Sequence, residues 1–543
     1  MKSSFYIFSF LILFTLNLYS ANKINPPNIL LIVADDMAYT DIGIHGSEIE
    51  TPNIDSLAKE GVKFTQYYVS ISCSPTRSML LSGTDNHLAG LGNMGELITP
   101  SQQGAPGYEG YLNNNVVTFA EVLRDNSYHT YMAGKWHLGH DPEHRPKSRG
   151  FETSFALLHG GASHWYDMTG LMKHETPVDY TKNGKKLDKL PKDFYSSRSY
   201  TDFLIDSIRG NQNDGKPFLA YLAFTSPHDP LHVPEPWLSK YKGKYDDGYN
   251  ELHKKRFNAA KKSGVVPESA ELPVPHPKVK PWNSLSDEEK AIEARKMEVY
   301  AGMVENLDYH IGRVINYLKD TGQYDNTVII FMSDNGANPW DSKDYPGKHQ
   351  EEFLKQFNNS IENIGHPNSA YAYGIGWATA GVGPKDLFKM TVGEGGISAP
   401  LIISGPGIIG NGKTIESFAY VTNIMPTILE ITNSKHPKVY NGNKIHPLGG
   451  KSLVPVLTAK SDKIYSDEDV IAGEMLGGKW VRQGNYKAVL ITPPYGSNKW
   501  ELYDISLDPG ETNNLATNKP KKLINLIDEY DNYAKRVGVV PPN

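Results

Sequence analysis

The chain has 543 residues, 39% of them hydrophobic, and a formal net charge of −6. That near-neutral balance argues against a nucleic-acid partner, which would want a strongly basic surface, and says little about a small anionic substrate, because the local charge of a cleft decides that. A single cysteine, Cys73, rules out an internal disulfide, so stability must come from a buried core, which a chain this long can build from two or more packing units.

Residues 1–21 read as a secretory signal peptide. Lys2 is a short positive segment, Phe5 to Leu18 is apolar except for Ser9, Thr15 and Asn17, and Ser20-Ala21 offers small residues for cleavage. An N-terminal membrane anchor is the alternative, but the stretch is short for a span and Asn22-Lys23 follows it. No cysteine lies near position 20, which excludes a lipid anchor on the mature N-terminus. The expectation is a periplasmic or secreted protein with no stable membrane span in the mature chain.

Three apolar, β-branched runs then end in chemically able residues. Asn28 to Ala34 leads into Asp35-Asp36, Phe218 to Phe224 into Thr225-Ser226-Pro227-His228, and Thr327 to Met332 into Ser333-Asp334-Asn335. Continuous runs of this kind suit strands buried on both faces. Helical patterns alternate with them: Ile54 to Lys59 stopping at Gly61, Phe119 to Arg124 behind a Thr118/Glu121 capping box, and Met297 to Leu318 running up to Gly322. The alternation predicts an α/β fold, a doubly wound sheet with helices on both faces and ligands at the carboxyl ends of its strands. Two stretches break it. Residues 235–288 read as a charged surface excursion, and residues 341–388 as a long loop whose Tyr371, Tyr373 and Trp377 either line the mouth of a site or pack the loop. After about 456 the texture changes to short strands (470–474, 479–482, 486–490, 499–504) and a helix, 521–535, with Pro520 at its start. The expected organisation is a catalytic domain over 22–455 and a small C-terminal subdomain, an antiparallel sheet with a helix, over 456–543.

Asp35, Asp36, Asp334 and Asn335 at strand ends offer only hard oxygen donors, which suit Ca²⁺ or Mg²⁺ and not Zn²⁺; the bland alternative for either pair is a cap or turn. Lys135 and His137 in Gly134-Lys135-Trp136-His137-Leu138-Gly139 would share a face if that segment were extended. His228, between Pro227 and Asp229, is a further candidate. Cys73 opens Cys73-Ser74-Pro75-Thr76-Arg77 and is either a small buried hydrophobe or a cysteine kept for its chemistry.

These blocks resemble a known family. Cys73-Ser74-Pro75-Thr76-Arg77 with Leu81-Ser82-Gly83 is similar to the signature of the type I, formylglycine-dependent sulfatases, and Thr84-Asp85-Asn86-His87-Leu88-Ala89-Gly90 resembles their bacterial arylsulfatase branch. Gly134 to Gly139, Ser333-Asp334-Asn335-Gly336, Glu394-Gly395-Gly396 and the C-terminal Leu502-Tyr503-Asp504-Ile505, Asp508 to Glu511 and Asn514-Leu515-Ala516 match further blocks, so the resemblance spans nearly the whole mature chain. It implies an alkaline-phosphatase-like mixed sheet and hydrolysis of a sulfate ester to an alcohol and sulfate. It implies that a separate maturase converts Cys73 to formylglycine, whose hydrate is the nucleophile. It also implies that Asp35, Asp36, Asp334 and Asn335 hold one divalent cation, usually Ca²⁺, that Arg77 holds the hydrate, and that Lys135 and Lys389 grip the sulfate. His137 would then be a base at the hydrate and His228 the acid for the leaving oxygen. One departure stands out: Ser398 occupies a position where the family often has Arg, which puts a local salt bridge in doubt. The rival functions are a phosphate or phosphonate monoester hydrolase using the same metal constellation, and a catalytically silent protein that binds sulfated glycans.

Overall fold

A computed structural model describes residues 26–543; the expected signal peptide lies outside the described residues. Its centre is a ten-stranded mixed sheet. In chain order the strands are β1 (Asn28–Ala34), β2 (Val62–Phe64), β3 (His129–Lys135), β4 (Thr153–Leu157), β5 (Tyr180–Lys182), β6 (Lys185–Lys186), β7 (Phe218–Ala223), β8 (Thr327–Ser333), β9 (Leu401–Ser404) and β10 (Lys413–Ile415). Across the sheet they run β10-β2-β9-β8-β1-β7-β3-β4-β5-β6. The inner strands β8, β1, β7, β3 and β4 are mutually parallel, so their carboxyl ends share one edge, while β9 runs antiparallel to β8.

The apolar runs are buried on both faces, as their lack of alternation requires. Leu30, Ile32 and Ala34 of β1 enter one core; Ile29, Leu31 and Val33 enter another on the opposite face. The first core is covered by α1 (Pro52–Glu60) and by two longer helices, Ser196–Asn211 and the 34-residue Asp287–Asp320. The second is covered by α2 (Cys73–Ser82) and α3 (Phe119–Asp125), the latter closed at its start by the Thr118/Glu121 capping box. Such a cap is worth about 1 kcal/mol.

Beyond the sheet, Val470–Met475, Gly478–Gln483, Tyr486–Leu490 and Trp500–Asp504 form a four-stranded antiparallel sheet, with helix Pro520–Val537 packed on it through Leu526, Tyr530 and Tyr533. Residues 235–288 are more than a surface excursion. Helix Tyr249–Lys262 buries Arg256, which pairs with Asp41 at 2.5 Å and Glu48 at 2.8 Å and so ties the segment to the loop after β1. Among the described residues no helix is long and apolar enough to cross a membrane.

Candidate active site

The shared edge of β8, β1, β7 and β3 carries the chemical residues. Asp35-Asp36 follows β1, Asp334-Asn335 follows β8, His228 lies beyond β7, and Lys135 is the last residue of β3. Cys73 is the first residue of α2, so it meets this edge at the positive end of a helix dipole. Lys389 arrives on a loop held by two backbone hydrogen bonds, Lys389 N–H to the Ala337 carbonyl at 3.0 Å and Met390 N–H to the Ile71 carbonyl at 2.9 Å.

Nine of the ten residues singled out from the sequence meet in one network; the tenth, His137, lines the cleft above it and hydrogen-bonds Glu96 instead. Lys135 Nζ donates to both Asp35 oxygens at 2.9 and 2.8 Å, and Lys389 Nζ to both Asp36 oxygens at 2.7 and 2.9 Å. Cys73 Sγ lies 3.5 Å from Asp35 Oδ1, 3.8 Å from Asp36 Oδ1 and 3.4 Å from Lys389 Nζ. Arg77 grips Asp334 Oδ2 through Nε at 3.0 Å and Nη2 at 2.8 Å, and its Nη1 donates to the Lys135 carbonyl at 3.0 Å. Its guanidinium is thus engaged by a carboxylate rather than by residue 73. His228 Nε2 is 3.4 Å from Asp36 Oδ2, while its Nδ1 faces the Asp229 carbonyl at 2.7 Å. Burial, then Asp334, pushes the Cys73 thiol up, against the pull of Lys135 and Lys389. Burial opposes the Asp35 carboxylate, but Lys135, His228, Arg77 and Lys389 hold it well below the usual range.

The donor set fits a hard divalent ion. Asp35, Asp36, Asp334 and Asn335 are all fully buried or nearly so, and Asn335 Oδ1 is buried with no hydrogen-bond partner, a spare oxygen donor at the centre of the cluster. Ligand atoms of Asp35, Asp36, Cys73 and His228 all fall within 4.8 Å of one another, a group that shares Asp35 and Asp36 with the expected set but leaves out Asp334, whose Oδ2 is held by Arg77. Three carboxylates balance Lys135, Lys389 and Arg77 in charge, so a divalent ion would leave the site net positive, as an anionic substrate needs.

One feature of the site differs from the sequence expectation, and a second falls on one side of an alternative the sequence left open. The segment after β3 is not extended: His137 has φ 57°, so a left-handed turn, not strand alternation, sets its direction. Tyr371, Tyr373 and Trp377 pack the loop. Trp377 is fully buried and donates to the Glu293 carbonyl, Tyr373 stacks on Tyr300 at 3.8 Å, and Tyr371 donates to the Asn359 carbonyl. The cleft above Cys73 takes in about 450 Å³ of empty space, open solvent at its mouth included, and is walled instead by Met94, Leu97, Leu171, Met172, Trp340 and Met390, with Glu96, His137, Glu175, His228 and Lys389 among them.

Other contributors carried no local signal. Asp229 accepts from Tyr345 at 2.9 Å and Asn338 at 2.7 Å, which fixes the residue beside His228. Gly160 and Gly161 lie against the two histidines: a Cβ on Gly160 would sit 2.8 Å from His137 Cε1, and one on Gly161 3.1 Å from His228 Cε1. Only the Gly-Gly pair itself could have hinted at so close an approach. The salt bridge put in doubt by Ser398 exists with other cations. Glu394 accepts from Lys487 at 3.1 Å, Lys385 at 3.4 Å and Ser398 Oγ at 3.0 Å, and also from Tyr68.

Residues 27–434 match the sulfatase family model, and residues 387–530 match the model of the C-terminal region of N-sulphoglucosamine sulphohydrolase. An uncharacterized sulfatase of Schizosaccharomyces pombe is 44% identical over 95% of this chain and 94% of its own length. The arylsulfatase of Klebsiella aerogenes is 40% identical over 80% of this chain and 92% of its own. Among solved structures, that of Ps i-CgsB superposes with a TM-score of 0.66 at 24% identity, covering 94% of this chain and 93% of the other.

Proposed function

This chain belongs to the sulfatase family, and from that premise we propose that it hydrolyses the sulfate ester of an apolar, aryl-type alcohol, with residue 73 as nucleophile. The observation that carries the reading is the meeting of Cys73, two lysines and the oxygen-donor set Asp35, Asp36, Asp334 and Asn335 at the foot of one cleft. The apolar walls contributed by Met94, Leu97, Leu171, Met172 and Trp340 support an apolar alcohol portion.

In this reading the four oxygen donors hold Ca²⁺ or Mg²⁺, which would neutralise charge on the sulfate oxygens. Formylglycine at position 73 would supply a hydrated aldehyde, one hydroxyl to attack sulfur and a second to allow release of the product. Cys73 is 2% exposed, so a maturase has to reach it before the chain folds around it. Lys135 and Lys389 neutralise the oxygens that would otherwise repel a nucleophile, and they can do so once freed from the carboxylates they now cover. His228 Nδ1 faces a carbonyl, which only accepts, so Nδ1 carries hydrogen in either charge state, and in the imidazolium the second hydrogen is on Nε2, the atom that hands a proton to the leaving oxygen and is left with its lone pair. Residues 22–455 carry this chemistry, and residues 456–543 brace the Glu394 loop through Lys487.

The test compares the sulfate and phosphate monoesters of 4-nitrophenol on purified protein exported from its host, with the mass of the peptide containing residue 73 measured on the same sample. The expected result is faster sulfate hydrolysis and a peptide lighter than the cysteine form by about 18 Da. Faster phosphate hydrolysis, or full activity with only unmodified Cys73, overturns the proposal.

A further inference from the structure

Glu96 belongs to none of the sequence motifs, yet it stands on the cleft wall on the short turn Gly95–Leu97. Its Oε1 lies 3.1 Å from Nε2 of His137, with the two side chains 27% and 9% exposed. On the other side of the same ring, Nδ1 is buried and has no hydrogen-bond partner. The ring has little room to turn. Its backbone is in the left-handed region, and Gly160 approaches its Cε1 edge so closely that a Cβ there would be 2.8 Å away.

These contacts decide the tautomer. An ionised carboxylate only accepts, so the hydrogen bond to Glu96 places hydrogen on Nε2; a neutral imidazole then keeps its lone pair on Nδ1. That lone pair is buried, unpartnered, and belongs to a residue lining the same cleft as Cys73.

We propose that Glu96 is a positioning residue that makes Nδ1 of His137 the base acting at residue 73 and balances the charge of the imidazolium that results. The proposal rests on the sulfatase reading above. In the step assigned to it, an O–H bond at residue 73 breaks and its electron pair stays on that oxygen. An N–H bond forms at Nδ1, the ring gains one positive charge opposite an unprotonated Glu96, and the proton afterwards passes to water. The other groups around the ring oppose that charge: burial first, then Lys135 and Arg77, hold His137 below the ordinary imidazole range, with Glu96 pulling the other way and His140 and His159 lying beyond.

The experiment uses the full exported chain and the variants Glu96→Gln, Glu96→Asp and His137→Gln. Glu96→Gln keeps an acceptor for Nε2–H but loses the charge. It should lower kcat by about 10–100-fold, as loss of a group orienting a catalytic histidine does, with KM for 4-nitrophenyl sulfate within about twofold. The acid limb of kcat/KM should move down by about one pH unit, since an opposite charge has been removed at hydrogen-bond range. Glu96→Asp should recover most of the loss, and Glu96→Gln should add less than about twofold to His137→Gln if the two act as one unit. A readout independent of turnover is the carbon NMR titration of ring-labelled histidine, with the His137 signal assigned by its absence in His137→Gln. In Glu96→Gln it should titrate about one pH unit lower than in the wild type. The proposal is overturned if His137 titrates alike in both proteins, or if Glu96→Gln keeps the wild-type kcat and pH profile. Should Glu96→Gln fail to fold, Glu96→Asp decides: an acid limb displaced by more than about one pH unit with the charge retained is incompatible with the proposal. A wild type that prefers phosphate esters would refute the sulfate reading while leaving the His137 titration to judge Glu96.

Discussion

Lys389 and Glu394, five positions apart, end in two different buried charge clusters. Lys389 joins Asp36, Asp35 and Lys135 beneath the cleft; Glu394 joins Lys385, Lys487 and Glu511 where the small sheet meets the large one. Both clusters pair carboxylates with lysines out of water, and such pairs are weak sources of net stability because desolvation cancels much of the attraction. They differ in what is left over. The Glu394 carboxylate is closed in by two lysines, Tyr68 and Ser398, while the cleft cluster keeps a spare buried oxygen on Asn335 and opens to solvent through Cys73, His228 and Lys389. The first arrangement ties two parts of the chain together. On the proposed reading, the second holds its charges in readiness for an ion and an anion that the protein itself does not supply.

The largest effect that could break this contrast is removal of the ion. Chelation should lower sulfatase activity by about 10³-fold or more, because several kcal/mol of charge stabilisation would be lost. The near-ultraviolet circular dichroism should stay native, since Lys135 and Lys389 can cover Asp35 and Asp36. Unchanged activity in chelator would remove the cleft cluster as a metal site. Unfolding would show that the lysines are not adequate partners.

Next come the two lysines. Lys487→Met leaves Glu394 and Glu511 short of a cation in a closed site, and should cost about 3–5 kcal/mol in urea unfolding, with little change in activity per folded molecule. Lys389→Met should do the reverse, losing about 10²–10³-fold in kcat/KM with a smaller change in stability. If the two variants exchanged these phenotypes, the division between a bracing cluster and a reacting cluster would be wrong.

His228 sharpens the assignment within the cleft. His228→Ala should cost about 10²–10³-fold on an alkyl sulfate and far less on 4-nitrophenyl sulfate, whose alcohol needs little help from an acid. Equal losses on the two substrates would take the acid role from His228.

The reach of the sequence follows the same division. Local patterns located what is local: apolar runs ending in Asp35-Asp36 and Asp334-Asn335, the Thr118 capping box and the short C-terminal strands. Contacts between distant segments left no such trace. Glu96 reaches His137 across 41 residues and Lys487 reaches Glu394 across 93, and neither lysine nor glutamate has a spacing that announces a partner. The doubt that Ser398 cast on a local salt bridge took no account of Lys385 and Lys487, which supply cations to Glu394 from elsewhere. The aromatic residues of 341–388 left two readings open for a related reason. A buried ring and a ring lining a cleft have the same composition, and only packing distinguishes Trp377 in the core from Trp340 on the wall.

The smallest expected effect concerns a second tie between the sheets. His87 Nδ1 lies 3.0 Å from Asp85 and Nε2 3.1 Å from Glu474 on the first strand of the small sheet, while Tyr533 donates to Asp85 at 2.9 Å. Both ring nitrogens face carboxylates, so both should carry hydrogen and the ring should be an imidazolium. Burial disfavours that charge, but the hydrogen bonds the ring donates to Asp85 and Glu474 outweigh it and raise the His87 pKa from 6.5 to about 9. The folded protein therefore holds a proton that the unfolded chain has already released, and the sign follows: stability from this group is fully present below about pH 6.5 and is lost as pH rises through about 9. At about 1.4 kcal/mol per pH unit, the loss amounts to about 2–3 kcal/mol. Urea unfolding of the wild type and of His87→Gln at pH 6.5 and pH 9 isolates it, because the other titrating groups cancel in the difference. The wild type should lose its advantage over His87→Gln across that interval. An advantage that stays constant with pH would mean the ring is neutral and holds the small sheet by packing alone.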